Sequence, residues 1–305
     1  MNKLRFRAAA LAGGFALALS SCAAAKDVPP PAPAAVAQPA GPALWKVADA
    51  DTTIYLFGTV HALPKDVEWF RGPIAQALSS AQVLVTEIPP GALKQPEVQQ
   101  AFMAKAMLPE GQTLRGLLNA EQRATFEGAM VKLGLPAEAF DKVEPWFAAI
   151  TLATIPMLKA GYSLEAGAET AVEAKAGTGI KRDALETVEE QLALFDEMPV
   201  AVQTAYLVSV AEQMDEVVPS MNAMVTAWAM GDAEGLAKLM NDELDDPVLA
   251  DRLLYARNRD WADWVEARLA DPGTVFVAVG AGHLAGAKSV QDYLGKEGVA
   301  VTRVQ

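Results

Sequence analysis

The sequence predicts an α/β fold, of the α+β kind, in which both ends of the chain build one central parallel or mixed β-sheet. Three observations predict it. Apolar, β-rich runs lie near the start of the folded part, at residues 44–57 and 82–88. Similar runs lie near the end, at residues 274–279 and 299–304. Between them, from about 95–264, the pattern is mainly helical with Gly, Pro and Asp breaks, which predicts a large helical insertion.

The first elements predict a hairpin followed by a crossover. Residues 44–47 and 52–57 are strand-like on either side of an acidic turn, and the second strand is expected to end at Gly58. Residues 72–80 predict a helix, and residues 82–88 predict a short apolar strand. Strand, helix and strand in this order predict a βαβ unit with parallel strands and a right-handed crossover.

The later elements bring the chain back to the sheet. A weak strand is expected at residues 179–181, and a buried strand at residues 274–279. That strand leads directly into Gly280-Ala281-Gly282-His283. A helix over residues 284–294 and a final strand over residues 299–304 complete the prediction.

The N-terminus predicts export. Residues 1–21 carry basic residues and then a short Ala-rich apolar run, the pattern of a signal peptide that is too short to span a membrane stably. Its end, Leu19-Ser20-Ser21-Cys22, resembles the lipobox of bacterial lipoproteins. This implies acylation of Cys22, and several acyl chains anchor stably. An ordinary signal peptide with an incidental cysteine is the alternative. Ala23 does not resemble an inner-membrane retention signal, which implies the periplasmic face of the outer membrane.

The rest of the chain divides into a tether and one domain. Residues 22–43 are mostly Ala and Pro and cannot bury enough apolar surface to fold, so they predict a semi-extended tether. Residues 44–305 then form the domain. Cys22 is the only cysteine, which excludes an intramolecular disulfide and any cysteine nucleophile or cysteine zinc cluster within the domain.

The charge of the chain limits its partners. It has 25 basic and 38 acidic residues, and three of the basic residues lie in the signal peptide. The remaining 22 basic and 38 acidic residues give a formal charge of −16. This argues against nucleic acid or an anionic membrane surface as a partner. A peptide or a small molecule is the expected substrate, and the oligomeric state stays open.

The two histidines of the chain share one sequence frame. His61 ends the run Gly58-Thr59-Val60-His61, and His283 ends the run Gly280-Ala281-Gly282-His283. Each run follows an apolar strand, and ligands of open α/β sheets bind beyond the carboxyl ends of the strands. Glycine lets the backbone turn away from the strand without a Cβ clash. We therefore expect both imidazoles at one site, although a single loop histidine is often only a solvated residue.

Glu87 is the third candidate, because it closes the apolar run of residues 82–88. A carboxylate at a strand end is costly to bury unless it is paired or binds a cation, and a solvated acid is the alternative. With His61 and His283 it predicts a two-histidine, one-carboxylate site for zinc, manganese, cobalt or iron(II). The sequence contains no serine-hydrolase elbow, no His-Glu-x-x-His motif, no phosphate-binding loop and no dinucleotide fingerprint.

These residues resemble the TraB/PrgY/GumN family, which includes the Tiki metalloproteases. The resemblance covers nearly all of the chain after the tether. It implies divalent-metal proteolysis by His61, Glu87 and His283. The family is also similar to erythromycin-esterase-like and haem-binding ChaN-like proteins, which implies a shared sheet with a long helical insertion. In the esterase-like relatives a histidine is thought to act as general base without a metal. The motifs that carry the resemblance are the two Gly-x-x-His runs, Glu87, Leu185-Glu186-Thr187 with Gln191, Arg257-Asn258 with Trp261, and Leu284.

Three further charged residues fall where relatives carry functional groups. Arg257 is expected either to bind a substrate carboxylate or oxyanion, or to form a surface salt bridge on a charged helix. Glu186 is expected to orient a histidine or to cap a helix. Glu169 lies where relatives often carry an acid, in a less typical Ala-rich neighbourhood.

Three functions follow from this set. The first is hydrolysis of an amide bond, in a peptide, by a divalent metal held by His61, Glu87 and His283. The second is ester or amide hydrolysis without a metal, in which a histidine activates water and Glu87 or Glu186 orients it. The third is a non-catalytic periplasmic protein that binds or sequesters a peptide or haem.

Overall fold

A computed structural model of the chain describes residues 41–241 and 247–305. The predicted signal peptide, Cys22 and the tether up to residue 40 lie outside the described residues. Within the described ranges, no helix combines the length and the hydropathy of a membrane-spanning segment.

The fold is α/β, with a mixed six-stranded sheet and helices on both of its faces. A separate two-stranded sheet joins β3 and β5. The strands are β1 Leu44–Ala48, β2 Thr52–Thr59, β3 Leu63–Pro64, β4 Val83–Thr86, β5 Tyr162–Ser163, β6 Lys181–Ala184, β7 Gly273–Gly280 and β8 Val301–Arg303.

The helices are concentrated between β4 and β7. Short 3-10 segments cover Ala92–Lys94, Met214–Glu216 and Ala281–Leu284, and a π-helical turn covers Asp251–Tyr255. The α-helices are α1 Gly72–Ser80, α2 Pro96–Lys105, α3 Leu114–Leu117, α4 Ala120–Leu133, α5 Pro145–Lys159, α6 Ala168–Lys175, α7 Val188–Asp196, α8 Val200–Glu212, α9 Val217–Ala229, α10 Ala233–Asn241, α11 Pro247–Ala250, α12 Ala256–Arg268 and α13 Val290–Lys296.

The strand order of the main sheet is β6-β4-β7-β2-β1-β8. β6, β4, β7 and β2 run parallel to their neighbours, whereas β1 is antiparallel to both β2 and β8. The sheet is therefore built from both ends of the chain, as the sequence predicts. Because the carboxyl ends of parallel strands meet at one edge, the segments that follow β2, β7, β4 and β6 lie side by side.

The sheet is buried on both faces, because its central strands are apolar throughout. Phe57 and Phe276 point to the face covered by the helical insertion, with ring centroids 5.8 Å apart. Their neighbours Leu56 and Val277 point to the opposite face, where Trp261 and Val265 of α12 and Val290 and Leu294 of α13 cover them. The alternation of side chains along each strand thus separates two apolar clusters.

The hairpin of β1 and β2 and the helix α1 are confirmed. β2 and β4 are parallel, but they are not direct neighbours, because β7 lies between them and pairs with both. The weak strand predicted at residues 179–181 lies instead at Lys181–Ala184, where it forms one edge of the sheet.

The helix predicted over residues 284–294 is wrong. A 3-10 turn ends at Leu284, and α13 begins only at Val290. Gly286 and Lys288 have left-handed backbones with φ of 73° and 59°, which a right-handed helix cannot contain. The side chain of Ser289 then caps α13 by accepting a hydrogen bond from the Asp292 N–H.

Candidate active site

Four charged or titratable residues follow the four parallel strands. His61 follows β2, His283 follows β7, Glu87 follows β4 and Glu186 follows β6. These strands are adjacent in the order β2-β7-β4-β6, so their carboxyl ends place the four residues along one edge of the sheet. Arg257 and Glu169 approach this edge from α12 and from the first turn of α6.

The side chains of His61, Glu87 and His283 converge over Gly280. A Cβ atom placed on Gly280 would lie 3.0 Å from Glu87 Oε1, 3.5 Å from His283 Cδ2 and 4.0 Å from His61 Nε2. The φ of Gly280 is −51°, which any residue adopts, so glycine is needed here for space and not for conformation. The missing side chain leaves the volume that these three residues face.

His61 forms an ion pair with Glu169. Its Nδ1 lies 2.8 Å from Glu169 Oε1, and the Thr59 hydroxyl donates to the same oxygen. α6 is placed by close backbone contact, because the Ala168 N–H donates to the Val60 carbonyl at 2.9 Å. A Cβ on Gly167 would lie 2.2 Å from the His61 carbonyl oxygen, so only glycine allows this approach.

The pair determines the charge of His61. Burial favours the neutral ring, but the attraction and the hydrogen bond of Glu169 outweigh it and raise the pKa of His61 to about 9. At neutral pH the imidazole is therefore protonated on both nitrogens. Its side chain is 33% exposed, and its Nε2 faces the space over Gly280.

Arg257 is a buried hub with all of its donors in use. Nε donates to Glu186 Oε1 at 2.6 Å, and Nη2 donates to Glu186 Oε2 at 2.9 Å and to Glu87 Oε2 at 2.7 Å. Nη1 donates to the Leu253 carbonyl at 3.1 Å and contacts His283 Nε2 at 3.0 Å. A guanidinium has five N–H groups, and these contacts use each one. The alternative of a surface salt bridge is wrong, and in this arrangement no donor is left for a substrate oxyanion.

Glu87 is held as a carboxylate. Oε1 accepts from the Gly280 N–H at 2.6 Å, and Oε2 accepts from Arg257 and from Gln191 Nε2 at 2.9 Å. Burial alone would raise the pKa of Glu87, but the charges of Arg257 and the histidines, together with the Gly280 N–H, hold it well below its usual value. Glu87 is therefore ionised at neutral pH.

Glu186 pairs with Arg257 and caps no helix. The N-cap of α7 is Thr187, whose hydroxyl and backbone N–H form a capping box with Glu190. This cap places Gln191 one turn further on, where its amide reaches Glu87 and Glu186. Burial, opposed by Arg257, raises the pKa of Glu186 above its usual value.

His283 is buried and neutral. Burial and the positive charge of Arg257 lower its pKa to about 3. Its Nδ1 lies 2.6 Å from Asn258 Oδ1, and its ring lies 4.3 Å, centroid to centroid, from that of Trp261. The Arg257 guanidinium also lies over the Trp261 ring, at 4.7 Å, so one indole covers both groups.

The residues fit the expected divalent metal only in part. Each imidazole directs its Nδ1 to an oxygen, of Glu169 or of Asn258, an arrangement that orients Nε2 as a ligand. However, Arg257 already contacts Glu87 Oε2 and His283 Nε2, two of the three expected ligands. Among the described residues, no group of three or more His, Cys, Asp and Glu side chains is arranged to hold a metal. In the observed arrangement the guanidinium is the cation of the site.

The structure brings together all the residues named from the sequence except Cys22, which lies outside the described residues. Sequence reasoning gave no role to Asn258, Gln191, Thr59 or the Gly280 N–H. Asn258 and Gln191 belong to the motifs that carry the family resemblance, and Thr59 lies inside the first Gly-x-x-His run. The backbone N–H of Gly280 has no sequence signal of its own.

Comparison with known proteins gives one match. The model of the TraB/PrgY/gumN family matches residues 43–303, nearly the whole described chain. Neither the comparison with curated proteins nor that with solved structures gives a significant match.

Proposed function

The chain belongs to the TraB/PrgY/gumN family, and from the geometry of its site we propose that it hydrolyses an ester or amide bond without needing a metal. His61 is the proton-transfer group in this proposal, and Glu87 is the carboxylate that orients the attacking water. The expected substrate is a peptide or a small molecule whose carbonyl group enters the space over Gly280.

One observation carries the proposal. Two titratable groups face the same space, and their surroundings shift their pKa values in opposite directions: His61 is held protonated and Glu87 is held ionised. Such a pair is what acid–base catalysis at neutral pH requires. His61 is also the more exposed of the two histidines, at 33% against 7% for His283, so a substrate meets it first.

The roles follow from the donors and acceptors that remain. His61 Nε2 carries a proton toward the space over Gly280, and it donates this proton to the carbonyl oxygen or to the leaving group. Glu87 Oε1, fixed by the Gly280 N–H, accepts a hydrogen bond from water. Arg257 spends its donors on Glu87, Glu186 and His283, so it stabilises the carboxylates and makes no contact with substrate.

The test uses p-nitrophenyl esters and an internally quenched peptide mixture as probes. We expect His61→Ala and Glu87→Gln to abolish most of the hydrolysis, and exhaustive chelation to leave it unchanged. Lys132→Ala is the matched control, because the Lys132–Asp215 ion pair is exposed and lies outside the site. Full activity in both site variants would contradict the proposal. Stabilisation by a peptide or haem without turnover would favour the binding-protein alternative.

Hydrolysis of a peptide by a bound manganese, cobalt or zinc ion is the second candidate. It is favoured by the two imidazoles, each of which has an oxygen acceptor at Nδ1 and so presents Nε2 as a metal ligand beside Glu87. It requires Arg257 to release Glu87 and His283. Metal analysis of the wild type beside His61→Ala and His283→Ala separates the candidates. Stoichiometric metal that both variants lose, together with inhibition by chelation, would favour this one.

We also propose that the chain is exported and anchored by acylated Cys22 on the periplasmic face of the outer membrane. Its support is the signal-like N-terminus and the lipobox-like run before Cys22. Incorporation of labelled fatty acid into the wild type but not into Cys22→Ser, with fractionation of both, tests the anchor. Label in the variant would contradict it.

A further inference from the structure

The strongest feature not yet given a role is the set of contacts behind His283. Arginine is always a donor, so the 3.0 Å contact between Arg257 Nη1 and His283 Nε2 requires an unprotonated Nε2. The neutral ring must then carry its proton on Nδ1, which lies 2.6 Å from Asn258 Oδ1. The contact with Arg257 therefore depends on which ring nitrogen holds the proton.

The orientation of the Asn258 amide is fixed as well. Its Nδ2 donates to the Lys288 carbonyl at 2.7 Å, and a carbonyl oxygen accepts only from the nitrogen side of the amide. The oxygen of the amide is therefore turned toward His283 Nδ1. Asn258 is 1% exposed, so water does not offer the ring or the amide a competing partner.

Lys288 supplies this carbonyl from an unusual backbone conformation. Within residues 41–241 and 247–305 it is the one non-glycine residue with a left-handed φ, 59°. Its N–H donates to Asp292 Oδ2 at 2.8 Å, and its ammonium lies 4.4 Å from the centre of the Tyr255 ring. Strained backbone that persists beside a site points to a positioning role.

We propose that Asn258, oriented by the Lys288 carbonyl, is a positioning residue that keeps His283 as the Nδ1–H tautomer, so that Arg257 stays locked between His283 and Glu87. A proton on Nε2 would face an N–H of Arg257 and break that contact. Glu87 would then lose the fixed position of the guanidinium on which its own orientation depends.

The role in turnover rests on the proposed hydrolysis, but the tautomer does not. Because the chain has only two histidines, ¹⁵N NMR of the imidazole rings gives signals from His61 and His283 alone, and His61→Asn assigns them. At neutral pH we expect His283 to carry its proton on Nδ1 and to have a bare Nε2. A protonated Nε2 in the wild type would overturn the proposal directly, whatever the activity assay shows.

Two substitutions of Asn258 then test cause. Asn258→Asp keeps the shape, but its negative charge favours a second ring proton, so Nε2 should become protonated. Asn258→Leu removes the acceptor, so the Nδ1–H signature should be lost. Each should lower kcat by about 10- to 100-fold with a smaller change in KM, as supporting residues behind active groups do. An unchanged ring signature in Asn258→Asp would overturn the proposal even if Asn258→Leu fails to fold.

Lys288 offers a matched pair of variants. Lys288→Gly keeps the carbonyl and favours the left-handed backbone, so the ring signature of His283 should stay as in the wild type. Lys288→Val disfavours that backbone and should disturb the signature. The same spectrum from both variants would show that the Lys288 carbonyl does not orient Asn258. If His61→Ala keeps full hydrolysis while the signatures behave as expected, only the proposed function fails.

Discussion

His61 and His283 occupy the same Gly-x-x-His frame at the ends of two neighbouring parallel strands, yet their surroundings differ in charge. His61 faces the Glu169 carboxylate, and its pKa is raised to about 9. His283 faces the Arg257 guanidinium in a buried environment, and its pKa is lowered to about 3. One ring is a cation at the opening of the site, whereas the other is a neutral acceptor in its interior.

The difference shows that the motif fixes where an imidazole lies but not what it does. The strand end supplies position, and residues from distant segments supply the protonation state: Glu169 for one ring, and Arg257 with Asn258 for the other. The comparison predicts that variants on the His61 side change chemistry, and that variants on the His283 side change the integrity of the site.

The largest effect is expected from His61→Ala. Loss of the proton-transfer group should lower kcat by about 10²- to 10⁴-fold. The melting temperature should change little, because the ring is partly exposed. His283→Ala should instead lower both activity and melting temperature. Ester hydrolysis and circular dichroism melts of the two variants measure this, and an inverted result would exchange the roles given to the two rings.

Arg257→Met should have the next largest effect. It leaves Glu87 and Glu186 buried without their cation, which costs about 3–5 kcal/mol of unfolding free energy. Urea unfolding measures the loss. The triple variant Arg257→Met, Glu87→Gln and Glu186→Gln removes the charges together and should recover much of it. If the single and triple variants are equally destabilised, the uncompensated charge is not the cause.

Glu169→Gln should shift the pH dependence of catalysis. Without the carboxylate the pKa of His61 falls from about 9 toward its ordinary value of 6.5. The decline of kcat/KM at high pH, where the ring loses its proton, should therefore move to lower pH. Glu165→Gln is the control, since Glu165 is exposed on the segment that precedes α6. A decline that stays in place would remove Glu169 from the account of His61.

The smallest effect is expected in the pH dependence of stability. The raised pKa of His61 contributes stability that is fully present below pH 6.5 and is lost as the pH rises through about 9. The lowered pKa of His283 has the opposite consequence, since stability is lost as the pH falls from 6.5 toward 3. Melting temperature should therefore peak near pH 6.5. His61→Ala should flatten the alkaline side, and a symmetrical loss on both sides would contradict the comparison.

The sequence predicted the sheet and the strand-end residues because apolar strands and parallel topology are local and general features. It did not predict the saturation of Arg257, because five acceptors from four separate segments meet there only after folding. β6 was misplaced because Lys181-Arg182-Asp183 is charged, as suits an exposed edge strand. The helix after His283 was wrong because Lys288 adopts a left-handed backbone that its residue type does not signal.

The place of β7 in the sheet has a consequence for how the chain is made. β2 and β4 each pair with β7, so neither has its partner until residues 273–280 have been synthesised. The N-terminal half therefore waits with open strand edges for the last part of the chain. Any truncation before that point leaves two apolar ribbons unpaired, which makes an incomplete chain prone to aggregation and a substrate for quality-control proteases.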